Sequence, residues 1–200
     1  YRERQEQRLR QVTAADRSIQ HITSAMRAEI EDNAPIAEFA RVVGNDAPIF
    51  RVSLGDATVT FDRVRPVEHW DTPFTTIASS RIDLDFGRVG ADWQGRSHSL
   101  WYCDAKEPGT FGWFELAFMS SPLAARSSQI EPFARMPYEA QPAFGGGVGS
   151  MQLAWPVTEV DPSDPQEFVQ RWLDWFADAA AGRLRRPSTI PERDVRRTHR

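Results

Sequence analysis

The stretch 164–182, DPQEFVQRWLDWFADAAAG, constrains the fold more than any other part of the chain. Its apolar residues Phe168, Trp172, Trp175, Phe176 and Ala179 recur at spacings of three and four, which places them on one side of an α-helix. A stripe this wide and this aromatic needs a broad apolar surface to lie on, and a sheet face supplies one. The ends are punctuated to match. Asp164 is the expected cap, Pro165 suits the first turn, Glu167 completes a capping box and Gly182 can close the C-terminus.

The middle of the chain carries the sheet. Phe50, Val52 and Leu54 alternate with Ile49, Arg51 and Ser53; Gly55 and Asp56 form a two-residue turn; Ala57, Val59 and Phe61 then alternate with Thr58, Thr60 and Asp62. This is a hairpin pattern. A third strand spans about 74–86, with Ile82, Leu84 and Phe86 in phase and Ile77 out of it, so a β-bulge is expected near Ser79 and Ser80. SHSLWYCDAKEPGTFGWFELAFM yields two more strands about the Pro108-Gly109 turn. A sixth runs from Met151 to Val160, where Pro156 favours an edge or a bulge. Short connections between them predict an antiparallel, meander-like sheet of about six strands in an α+β fold. Residues 120–150, rich in proline and ending in GGGVG, are expected to be an irregular excursion with one short helix near 123–126.

Residues 1–33 form a long helical pattern without a cap, glycine or proline at its start, as expected of a stem joined to an upstream domain or membrane span. Val12, Ile19 and Met26 fall seven apart, with Ala15 and Ile22 three residues after the first two. Such a narrow seam packs on the chain's own sheet or pairs with another chain. Val12, Ile19, Ile22 and Met26 are therefore the candidate partner seam. Residues 36–43 suggest a short second helix stopped at Gly44. The plan is a stem at 1–33, one α+β domain at 34–182 and a basic arm at 183–200.

With 40% hydrophobic residues in 200, the chain supports one core of ordinary size. Its net charge of −4 is unevenly laid out, for 183–200 holds seven arginines against two acids. Cys103 is the single cysteine, which excludes an intrachain disulfide and a cysteine-built zinc site. No window matches an apolar membrane span of about 18 to 20 residues, so membrane contact is expected only through a segment upstream of Tyr1. The expected location is the cytoplasm or the cytoplasmic face of a membrane.

Chemistry-bearing residues concentrate in 96–115. Alternation puts His98, Tyr102 and Asp104 on one face of a strand and Trp101 and Cys103 on the other. His98 and Asp104 are then about 20 Å apart, too far for a dyad. His69, in VEHWD between Glu68 and Asp71, has acids near it that could tune an acid/base imidazole; the same residues also suit a turn. Asp83 and Asp85 share a strand face but lack further ligands at metal-site spacing. GGGVGS lacks the lysine and following helix of a phosphate loop; the glycines of 145–149 are a flexible connection or a flap. No cofactor and no metal are expected. Nucleic acid is disfavoured because no aromatics interleave with the tail's arginines.

These features favour a non-enzymatic interaction or ligand-sensing domain in a larger assembly, with a protein partner or self-association. The alternative is a small-molecule enzyme whose pocket is walled by Trp101, Tyr102 and Trp113 and served by His69 or His98. A second alternative is anionic lipid or nucleic acid held by the basic tail.

Overall fold

The computed structural model describes residues 1–66, 76–86, 97–120 and 151–184. Helix α1 (Arg2–Asn33) leads into strands β1 (Glu38–Phe39), β2 (Phe50–Leu54) and β3 (Ala57–Phe61). Strands β4 (Arg65–Pro66), β5 (Thr76–Phe86), β6 (Ser97–Asp104), β7 (Phe111–Ser120) and β8 (Met151–Val160) follow, and helix α2 (Gln166–Ala180) comes last. All described pairings are antiparallel, in the order β1-β2-β3-β5-β6-β7-β8 with β4 beside β5. This is the α+β architecture expected. The eight-stranded sheet exceeds six because β1 and β4 are two residues each, too short to show alternation in sequence.

Both helices cover the same sheet face. Phe50, Val52, Val59, Phe61, Ile82, Leu84, Leu100, Tyr102, Trp113 and Val160 point into one core with Ile19, Ile22, Met26 and Ile30 of α1 and Phe168, Trp172 and Phe176 of α2. Each large apolar side chain fully buried there contributes about 1.5 to 3 kcal/mol. The seam Ile19, Ile22 and Met26 is fully buried within the chain, with Val12 packed at its margin, so it is not a partner face. The indole N–H of Trp113 fixes α1 further by donating to Ser18 Oγ at 2.8 Å.

Three local expectations are corrected. Residues 36–43 hold β1 instead of a helix, with Phe39 opposite Val52 and its ring against Phe50. A segment this short, containing β-branched Ile36, Val42 and Val43, gains more from the sheet than from one or two helical turns. The register shift in β5 lies between Thr76 and Ala78 rather than at Ser79 and Ser80, and places the out-of-phase Ile77 at the irregularity. Helix α2 has Pro165 at its N-cap and no side-chain capping bond, so the capping box is not formed. Asp161 organises the preceding turn, accepting from the backbone N–H of Ser163 at 2.9 Å and its hydroxyl at 2.7 Å.

The C-terminus of α2 closes as expected. Gly182 has φ 71°, its N–H donates to the Ala179 carbonyl, and the N–H of Arg183 donates to the Asp178 carbonyl at 2.8 Å. This is a Schellman motif, and the left-handed residue is a glycine because a Cβ is costly there.

Candidate functional site

The aromatic residues marked by the sequence do not share one site. Cross-strand register sets Tyr102 opposite Trp113, and both lie on the helix-covered face with ring centroids 5.2 Å apart. Trp101, one residue along β6, lies on the other face opposite Phe114. Its indole N–H donates to Ser99 Oγ at 2.8 Å. A pocket walled by Trp101, Tyr102 and Trp113 together is therefore ruled out by the pleat. Burial raises the Tyr102 hydroxyl pKa, which keeps that group neutral.

Cys103 shares the Trp101 face and is buried. Burial first, and then the charge of Asp104, push its thiol well above the usual range, so it packs as a small apolar group rather than acting as a nucleophile. His98 occupies the register position between Ile82 and Ala117. His69, Glu68, Asp71, the glycines of 145–149, the 123–126 segment and the arm from 185 lie outside the described residues. Asp83 pairs with Arg81 at 2.9 Å, and Asp83 and Asp85 are exposed beside Thr58 and Thr60, as on a solvated sheet face. No group of three or more His, Cys, Asp or Glu able to hold a metal occurs among the described residues. Among these residues, no helix is long and apolar enough to cross a membrane.

A charged constellation lies under α2, on residues that the sequence reading did not single out. Glu115 of β7, opposite Leu100 on the helix-covered face, is fully buried. Both its oxygens accept from Arg171 of α2, Oε1 from Nη1 at 2.8 Å and Oε2 from Nη2, while Trp172 Nε1 donates to Oε1 at 3.2 Å. The Arg171 guanidinium lies 5.0 Å from the Trp175 ring centroid and 5.7 Å from that of Phe168, with its side chain 19% exposed. The signal was present in the sequence: one acid at core parity in FGWFELAFM, and one arginine inside an aromatic helix stripe. Its chemistry is positional. A bidentate pair plus an indole donor satisfies the carboxylate in one geometry and holds α2 at one register on the sheet.

Among the described residues, two surfaces stand out as exposed. Residues 2–10 of α1, about 14 Å at 1.5 Å per residue, are exposed throughout with Leu9 67% exposed, and the helix meets the core from Val12 on. The second is the β1 edge, flanked by Ile36 and Val43. Comparison with known proteins adds no function, for no family model, no curated protein and no solved structure matches this chain.

Proposed function

We propose that this chain is a non-enzymatic interaction domain that works in a larger assembly and uses the projecting part of α1 as a contact arm for a protein partner. The observation behind this reading is the uncovered helix itself. A helix this short is marginal alone in water, so its continuation past the core is sustained by the docked part of α1 from Val12 on and leaves the surface of residues 2–10 open for contact. Its i,i+4 pairing, such as Arg2 with Glu6 at 3.7 Å, is solvent-exposed and contributes little. The distribution of the aromatic residues over both sheet faces weighs against the small-molecule enzyme reading.

A photo-reactive residue replacing Leu9 tests this in the cell of origin. Expected is a covalent adduct with a defined protein from position 9 and none from a control at exposed Asp85. Equal labelling at the two positions, or no adduct at either, contradicts the reading.

A further inference from the structure

The exposed part of α1 divides cleanly by face. At about 100° per residue, Arg4, Gln5, Gln7, Arg8 and Gln11 fall on one side of the helix, and Arg2, Glu3, Glu6, Leu9 and Arg10 fall on the other. The first side continues the buried stripe. Stepping back by three or four from Ile30 through Met26, Ile22, Ile19 and Ala15 passes Val12 and reaches Arg8 and then Arg4. The stripe that is apolar over the sheet therefore becomes cationic where the helix is exposed.

Charge is not shared between the two sides. Both glutamates lie on the far side, where Arg2 and Arg10 offset them and Arg2 pairs with Glu6 at 3.7 Å. The net charge of +2 over residues 2–10, four arginines less two glutamates, is thus carried by Arg4 and Arg8. Three and four positions from these two stand only tyrosine, glutamine, valine and each other, so neither meets a carboxylate along the helix. Among the described residues no ion pair includes either of them. Like charges four apart weaken a helix, and departures from local preference concentrate at functional surfaces.

Guanidinium groups one turn apart match two carboxylates at the same spacing, each held by a pair of parallel N–H···O bonds. Extended polyanions fit this face less well. An anionic bilayer is recognised by clusters of about four to eight basic residues. Nucleic acid takes many phosphate contacts or aromatic stacking. This face offers two arginines, and residues 2–11 contain no aromatic side chain.

We propose that the partner of this arm presents an acidic protein surface, whose carboxylates dock on Arg4 and Arg8 with Gln5, Gln7 and Gln11 at the margins. The proposal rests on the contact-arm reading and adds which face is used and what chemistry meets it.

A photo-reactive residue in place of Gln7, on the charged face, tests it in the full chain in the cell of origin. The expected adduct joins a protein at a segment that holds two or more Asp or Glu side chains near the attachment point. Its yield is expected to fall at least about tenfold in Arg4→Gln/Arg8→Gln, as for charge pairs lost from an interface. In Arg2→Gln/Arg10→Gln, which removes the same charge from the far side, it is expected to stay within about twofold. All four positions are exposed and glutamine is a good helix former, so both double variants are expected to keep their circular dichroism. An equal fall in the two variants, no fall in either, or an adduct to lipid or nucleic acid overturns the proposal. An adduct from Leu9 that survives Arg4→Gln/Arg8→Gln overturns it and leaves the arm reading standing, whereas no adduct from either position overturns both.

Discussion

Glu115→Ala is expected to destabilise the chain by about 3 to 5 kcal/mol, because it leaves the Arg171 guanidinium largely buried without its carboxylate. The indole N–H of Trp172 also loses the Glu115 acceptor. Replacing both ionic partners, as Glu115→Leu with Arg171→Met, removes the desolvation cost along with the attraction. The double variant still costs the Trp172 indole its Glu115 acceptor and is therefore expected to lose about 1 to 3 kcal/mol, less than the single variant. Urea unfolding with unchanged m values is the measurement. A single variant costing less than the double would show that the pair does not hold α2 as described.

The second large effect concerns α1. Ile22→Ala is expected to cost about 2 to 5 kcal/mol, since Ile22 is fully buried against the sheet and α2 and its removal leaves a cavity. Leu9→Ala, in the same helix but 67% exposed, is expected to stay within about 0.5 kcal/mol of the parent. The same unfolding experiment reads both. Equal costs at the two positions would mean that α1 is not divided into a docked part and a free arm.

Legibility differed by element for physical reasons. Helix α2 and the β2–β3 hairpin could be read from sequence because each carries its own period and its own turn residue: Gly182 has φ 71° and Gly55 has φ 57°. The α1 seam was legible as apolar spacing, but spacing does not say what covers it, and Ile19, Ile22 and Met26 would look the same facing a second chain. Strand β1 was misread because two residues carry no period; its identity comes from Val52 and Ser53 across the ladder. The capping box failed because Asp161, bonded to Ser163, shapes the turn before α2, while Pro165 takes the cap position.

The candidate site was harder still. Trp101, Tyr102 and Trp113 were grouped by closeness in sequence, although the pleat that the alternation itself implies sends Trp101 to the other face. Glu115 and Arg171 were passed over because each lies in an apolar run that a period analysis assigns to the core. Only the packing of α2 on β7 brings them together, across 56 residues of chain.

The central claim is that α1 is one continuous helix with two fates, docked from Val12 to Ile30 and exposed over residues 2–10. Hydrogen–deuterium exchange on the dilute free chain tests this most directly. Amides from Ile19 to Ile30 are expected to exchange only through opening of the core, and those of Gln5 to Arg10 orders of magnitude faster. Uniform protection along the whole helix, or fast exchange throughout it, would contradict the account.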